Sequence, residues 1–386
     1  MLKIAIIGCG KIADEHAAAV KLLPDCEICG VCDSEELMAG QLAERVGIKG
    51  SFTDAGTLLE VTRPDVVHIT TPPQSHFPLA KLCIEAGSNV FVEKPFTVTA
   101  REGEELVRLA EEKHVKLTAG HNNQFSPVAL RMRVLINAGF LGGDPVHMES
   151  IFSYDMSDGY ARTLLADKDH WVRGLPGQLL HNVISHGVCK IAEFLRSENP
   201  LVLVHGFQSP RLRAAGESDL VDELRVIIAE RGGATAYFTF STQITPARHE
   251  FRIFGPKNYL VADHTHQTLI RGLNKSYKIQ LNSFVPPFLY AKQFLANGWG
   301  NIGGFVRRNF HIDAGRRMLL AAFYRSITQG TPVPIPYREI LLTAKIMDSI
   351  FAQLRETTLL PLNETPLAEP VPVARGGQYA IMSLSD

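Results

Sequence analysis

The sequence predicts a two-part α/β chain. A parallel sheet covered on both faces occupies residues 1–120, and an α+β unit with a large, mostly antiparallel sheet occupies 121–360. Three observations predict it. Short apolar runs alternate with amphipathic stretches up to about residue 120, which is the rhythm of βαβ units. A glycine turn, Gly8-Cys9-Gly10, follows the first apolar run directly. Beyond 121, strand-like runs follow one another through tight turns, as the strands of an antiparallel sheet do.

In the first unit the strand-like runs are LKIAIIG (2–8), EICGVC (27–32), DVVHIT (65–70), NVFVE (89–93) and VKLTAG (115–120). Helical patterns lie between them, near 11–22, 35–46, 75–86 and 99–113. The second unit opens with a helix near 127–138 and a strand near 145–154, and one long helix follows across 178–195. Strands are then expected at 201–207, 221–230, 234–243, 248–254 and 258–262, with hairpin turns at ERGGAT (230–235) and GPKN (255–258). Helical patterns return at 313–328 and 338–355, and the tail 361–386 reads as irregular.

At 386 residues the chain exceeds one typical core, so two domains are expected. Its net charge of −1 argues against a dedicated nucleic-acid binder. No apolar stretch approaches the roughly 18–20 residues of a spanning helix. MLKIAIIGCG runs straight into strand and turn, so no signal peptide is expected. Six cysteines without secretory context imply free thiols and a cytoplasmic protein. Cys26, Cys29 and Cys32 have the spacing that opens an iron–sulfur run, but the fourth position is Glu36. On a strand, Cys29 faces away from the other two, so no metal site is expected there.

Gly8-Cys9-Gly10-Lys11-Ile12-Ala13 is a G-x-G-x-x-A loop between strand and helix. Its glycines allow a tight turn and close backbone approach, so a pyrophosphate can sit on the helix N-terminus. Asp33 ends the next strand, where a carboxylate accepts from a ribose 2′-hydroxyl and disfavours a 2′-phosphate. The expected cofactor is therefore NAD rather than NADP. TTPPQSH (70–76) follows a strand at the carboxyl edge of the sheet, which makes Thr70, Thr71, Pro72 and His76 cofactor-binding candidates. His68 reads as a satisfied core histidine. VFVEKPFTV (90–98) sets Glu93-Lys94-Pro95 into an apolar run. A lysine there is costly to desolvate unless it pairs locally or is aimed at a bound molecule.

GCGKIA, Asp33, TPPQSH, Glu93-Lys94-Pro95, GHNNQFSP (120–127) and GQLLHNVISH (177–186) occur in this order. Together they resemble the glucose–fructose oxidoreductase / inositol dehydrogenase (Gfo/Idh/MocA) family over roughly residues 1–360. The resemblance implies an N-terminal Rossmann domain and a C-terminal domain whose open sheet often makes contacts in a homo-oligomer, a dimer or a tetramer. It also implies a nicotinamide cofactor and a sugar, sugar-nucleotide or cyclitol substrate. Lys94 would hydrogen-bond the reacting hydroxyl and assist proton removal, with Glu93 beside it and a cis Lys94–Pro95 bond fixing its direction. Asn122 would lie near the nicotinamide, and Trp171 and Arg173 at the rim of the substrate pocket. Relatives with dehydrogenase activity usually pair an Asp with a His four residues later; here the positions read Asn182 and His186. Asn182 can orient a hydroxyl but cannot act as a base, which leaves His186 as the acid/base. His181 could join a relay. Asn182 also leaves room for a redox-neutral enzyme with retained NAD; a non-catalytic NAD-binding protein is a further alternative, against which the retained Lys94 and His186 argue.

One segment stands outside that pattern. From His264 to Ile312 there is no Asp or Glu, yet there are Arg271, Lys275, Lys278, Lys292, Arg307 and Arg308. Phe284, Phe288, Tyr290, Phe294, Trp299, Phe305 and Phe310 are interspersed, broken by NGWGNIGG. This composition suits peripheral membrane contact through 284–310 or a phosphate-bearing substrate. A subunit interface or a lid would use the same residue types.

Overall fold

The structure is a computed structural model that describes residues 1–156, 159–217, 219–275, 277–306 and 314–359. Arg307, Arg308, Phe310 and the tail 361–386 lie outside the described residues.

The first unit alternates β1 (Leu2–Ile7), α1 (Lys11–Lys21), β2 (Cys26–Cys32), α2 (Glu36–Val46), β3 (Ser51–Phe52), α3 (Ala55–Thr62), β4 (Val66–Ile69), α4 (His76–Glu85), β5 (Asn89–Val92), α5 (Ala100–Glu112) and β6 (Leu117–Ala119). The six strands are parallel, in the order β3-β2-β1-β4-β5-β6. This is the doubly wound order with a crossover between β1 and β4. Strands β4 and β5 read as continuous apolar runs because both faces of the sheet are covered; Val66, Val67, Val90 and Phe91 are fully buried. β3 is two residues long, too short to leave a periodic signal. α5 starts where a capping box can form, with Thr99 and Glu102 each bonding the other's backbone N–H.

The second unit contains α6 (Pro127–Asn137), β7 (His147–Ser153), α7 (Gly159–Ala166), α8 (Gln178–Val183), α9 (Ser185–Ala192), β8 (Leu201–Phe207), α10 (Pro210–Ala214), β9 (Glu223–Ala229), β10 (Thr235–Ser241), β11 (His249–Phe254), β12 (Asn258–Asp263) and β13 (Thr268–Leu273). Its seven-stranded sheet has the order β13-β12-β11-β7-β10-β9-β8. Neighbours are antiparallel except β7 and β10, which pair in parallel from His147↔Thr235 to Ser153↔Ser241. The hairpin turns fall at 230–235 and 255–258 as their residues suggest. One face of the sheet is packed; the other exposes Leu203, Ile227 and Tyr237.

Three features differ from the sequence reading. The single helix expected over 178–195 is two short helices, α8 and α9, that meet at Ile184. The carbonyl of Asn182, in the last turn of α8, accepts from Lys94 Nζ at 2.9 Å. The segment after β13 forms one helix, α11 (Ile279–Val306), straight through NGWGNIGG. Finally, α12 (Ala314–Gln329) returns to the first core, where Leu319, Leu320 and Phe323 are fully buried, and α13 (Tyr337–Leu359) joins both cores, Ile340 in the first and Ile350 and Phe351 in the second.

Gly187, one residue after the candidate histidine, lies directly against the sheet, its carbonyl accepting from Ser150 Oγ at 3.0 Å. A Cβ on it would stand 2.1 Å from Cε2 of the fully buried Phe238. Gly187→Ala is expected to lower unfolding free energy by about 1–3 kcal/mol, the cost of overpacking a filled core, as read by chemical denaturation.

Candidate active site

The carboxyl ends of β1, β4, β5 and β6 open onto a cleft of about 660 Å³, closed on its far side by residues of the second unit. Gly8 lies at φ +96°, and a Cβ there would stand 2.6 Å from Thr71 Cγ2 and 2.7 Å from Thr71 N, so the turn requires glycine twice over. At Gly10 a Cβ would meet nothing within 4 Å; the space in front of the helix is open. α1 has no side-chain cap, so its first N–H groups point at that space without an internal partner from a cap. Lys11, Ile12, Thr70, Thr71 and Pro72 line the same wall. The Thr70 hydroxyl is shared between the carbonyls of Ile7 (3.0 Å) and Gly8 (2.6 Å) and ties the turn to β4. Asp33 Oδ2 accepts from Cys9 N at 2.7 Å and Oδ1 from Glu35 N at 3.0 Å, which fixes the carboxylate beside the glycine turn. Asn122 faces the cleft with its Oδ1 buried and unpartnered among the described residues. An open helix N-terminus, a fixed carboxylate and an orphaned amide oxygen are what a dinucleotide needs.

His76 is placed differently from the expectation. It is fully buried, with Nδ1 2.9 Å from the Pro95 carbonyl and Nε2 2.9 Å from that of Thr71. It ties the β4 loop to the β5 loop from below and does not line the cleft.

Glu93 and Lys94 stand at the end of β5. A buried chain of hydrogen bonds reaches Glu93 from behind: Tyr324 hydroxyl to His68 Nε2 (2.8 Å), His68 Nδ1 to His16 Nδ1 (2.9 Å), His16 Nε2 to Glu93 Oε1 (2.8 Å). Burial alone would raise the Glu93 carboxyl, but the His16 bond and charge, Arg316 and Lys94 hold it well below the usual carboxylate range. Arg316 Nε lies 3.9 Å from Glu93 Oε1, and Arg316 also bonds Glu15. Lys94 has its backbone N–H on Glu93 Oε2 at 3.0 Å and its ammonium aimed across the cleft at Asn182. Burial lowers the Lys94 pKa from the ordinary lysine value, against the opposing pull of Glu93. The Lys94–Pro95 bond is cis.

From the second unit come Asn182, His186, Trp171, Phe152 and Tyr154. Despite the break at Ile184, Asn182 and His186 both line the cleft. Burial, and then the charge of Lys94, holds His186 well below the ordinary histidine value. The Asn123 side-chain amide lies 2.9 Å from His186 Nδ1. An amide offers a donor and an acceptor of nearly the same shape, so a half-turn lets it serve either tautomer of the ring. Gln74 Nε2 donates to the Trp171 carbonyl at 2.8 Å and so pins the Trp171 loop to the first unit.

Two expectations fail on geometry. Arg173 does not reach the cleft: its guanidinium pairs with the buried Glu217 (3.0 and 3.1 Å) and donates to the carbonyls of Leu164 and Asp167. His181 stacks on Phe351 with centroids 4.7 Å apart, away from the cleft, and burial pushes its pKa down to about 4. Asn123, His16 and Arg316 were not foreseen. Asn123 had a signal, being the second of three amide residues after β6; Arg316 had none.

Residues 2–121 match the family described as an oxidoreductase family with an NAD-binding Rossmann fold. Over 271 residues the chain is 25% identical to UDP-N-acetylglucosamine 3-dehydrogenase of Acidithiobacillus ferrooxidans, covering 69% of this chain and 76% of that enzyme. It is 32% identical over 142 residues to D-glucoside 3-dehydrogenase of Escherichia coli K12, 36% of this chain but only 40% of that protein's length. Among solved structures, the WlbA dehydrogenase of Bordetella pertussis superimposes with a TM-score of 0.74 at 16% identity, over 92% of this chain and 96% of that one, a likeness of fold.

Because Arg173 neutralises a buried carboxylate outside the cleft, Arg173→Ala is expected to cost stability, about 1–3 kcal/mol, as Glu217 keeps only the exposed Lys168 as a charged partner. Ligand affinity of the folded protein should change little. Denaturation and calorimetric titration read the two separately.

Proposed function

We propose that the chain, whose residues 2–121 match a family of oxidoreductases with an NAD-binding Rossmann fold, is an NAD-dependent dehydrogenase of the Gfo/Idh/MocA type acting on a ring hydroxyl of a sugar, sugar nucleotide or cyclitol. The observation that carries this reading is the convergence of Lys94, Asn182 and His186 on one cleft that also opens onto the Gly8–Gly10 turn. The relatives' names support the substrate class: they are dehydrogenases of glucosides, of UDP-N-acetylglucosamine and of myo-inositol.

Gly8, Gly10 and the N–H groups of Lys11 and Ile12 would hold the pyrophosphate, and Asp33 the adenosine ribose. Thr70, Thr71 and Pro72 would wall the cofactor, with Glu93, Lys94 and Asn122 bordering its reactive end. When bound there, the nicotinamide supplies the acceptor for a hydride.

The chain's own residues do the proton work. The Lys94 ammonium donates to the substrate oxygen and stabilises negative charge as the O–H bond weakens. His186, kept neutral by burial and by the neighbouring ammonium, accepts the proton. The Asn123 amide, its oxygen turned to Nδ1–H, holds the tautomer whose other nitrogen is free to take the proton and goes on accepting from Nδ1 in the imidazolium, and Asn182 orients a second hydroxyl. Trp171, Phe152 and Tyr154 supply the apolar wall that excludes water on the second unit's side.

A panel of sugars, sugar nucleotides and cyclitols tests the reading through absorbance of released NADH. Asp33 makes NAD the tighter cofactor, by at least about tenfold or 1.4 kcal/mol over NADP; equal affinities would refute that part. The amide at 182 favours one second reading, a redox-neutral reaction on retained NAD. Product formation without net NADH would select it.

Lys94→Ala should lower turnover by about 10² or more while NAD affinity, measured by titration, stays near that of the parent. Unchanged turnover would make Lys94 a structural residue.

A further inference from the structure

The chain's longest helix presents its faces in reverse. α11 packs on the edge strand β13 through polar side chains. Gln293 Oε1 accepts from Arg271 N at 2.8 Å while its Nε2 donates to the Arg271 carbonyl at 3.1 Å. Asn297, one turn on, does the same for Leu269, both at 3.0 Å. The two amides stand in for a neighbouring strand and satisfy the edge that β13 leaves open. Tyr290 meets Tyr259 at 2.9 Å, and Asn301 donates to the His266 carbonyl at 2.9 Å. The apolar side chains point the other way: Phe284 is 61% exposed, Phe288 76%, Trp299 72% and Phe305 70%. Leu281, Leu295 and Ile302 extend the same exposed surface. A surface helix of a soluble domain puts its apolar stripe inward. A continuous apolar surface of this length marks a site of contact.

Charge decides the occupant. Arg271, Lys275, Lys278 and Lys292 are exposed around the helix, Arg307 and Arg308 follow it in the sequence, and the segment 264–312 contains no carboxylate. A two-fold contact centred on α11 would set one copy's basic residues against the other's, with nothing in the segment to neutralise them. Aromatic side chains rimmed by cations fit the boundary between headgroups and acyl chains of an anionic bilayer. No helix among the described residues is long and apolar enough to cross a membrane. We propose that α11 docks the protein on an anionic membrane surface, lying in the headgroup plane with Phe284, Phe288, Trp299 and Phe305 inserted. α12 is the next helix in the chain and carries Arg316 into the cleft, so the docked face lies close in sequence to the active-site wall. The inference does not depend on which reaction the cleft performs.

The test is co-sedimentation of the intact chain with vesicles of phosphatidylcholine alone or with roughly one-third phosphatidylglycerol. Binding to the anionic vesicles is expected to exceed binding to the neutral ones at least about tenfold, and to fall at about 1 M salt, where the Debye length is near 3 Å. Phe288→Ser/Trp299→Ser should reduce binding about tenfold or more. Lys275→Gln/Lys278→Gln/Lys292→Gln should weaken it and flatten its salt dependence. All five substituted positions are exposed, and unfolding curves will show whether each variant remains folded. The proposal is overturned if the intact chain stays in the supernatant with anionic vesicles, or if folded variants bind as the parent does. It is also overturned if sedimentation velocity shows a dimer that Phe288→Ser/Trp299→Ser dissociates without any vesicle binding by the parent, which would make α11 an interface between copies.

Discussion

A carboxylate at the end of a central strand, only 6% exposed, has to be answered by partners or it would take up a proton. Glu93 is that group, and much of the first unit is arranged around it. α1 supplies His16, β4 supplies His68, and α12, some 230 residues later in the chain, supplies Tyr324 and Arg316. Gly120, after β6, leaves the room: a Cβ there would stand 3.0 Å from the carboxyl group. The hydrogen bonds run unbroken from the Tyr324 hydroxyl through the His68 and His16 rings to Glu93, so each ring nitrogen along the buried chain has a partner.

That arrangement has a consequence on the other side of the strand end. Glu93 holds the Lys94 backbone N–H, and its charge opposes the effect of burial on the Lys94 ammonium. The lysine is thereby poised between two influences: desolvation favours the neutral amine, and the carboxylate favours the cation. The second unit responds to the same side chain. Its helix breaks at Ile184, close to the Asn182 carbonyl that accepts from Lys94, and Asn182 and His186 on either side of the break both line the cleft.

The chain satisfies its strand edges by different means. At β13 the amides of α11 replace a neighbouring strand, which leaves the helix free to show its apolar side outward. On the open face of the second sheet, Leu203, Ile227 and Tyr237 are exposed in alternation with buried neighbours. Both surfaces are apolar, and they differ in charge: basic residues surround the first, whereas Arg225 and Glu223 form an ion pair at the second.

The sequence by itself determined what local pattern can encode. Alternating runs and the G-x-G-x-x-A turn specified the parallel sheet and its cofactor edge, because strand, turn and helix there are contiguous. Lys94 stood out because a charged residue inside VFVEKPFTV has no local reason to be there, and Asn182 and His186 because a motif places them four apart. Only the tertiary structure decided the rest. The return of Arg316 and Tyr324 to the first core joins residues too distant for any spacing to reveal. His76 and Arg173 have residue types suited to ligands, yet nearby carbonyls and Glu217 claim their donors first. α11 lacks the periodicity of a core helix because its packed face is polar, and a polar face becomes interior only where an edge strand offers backbone groups to bond.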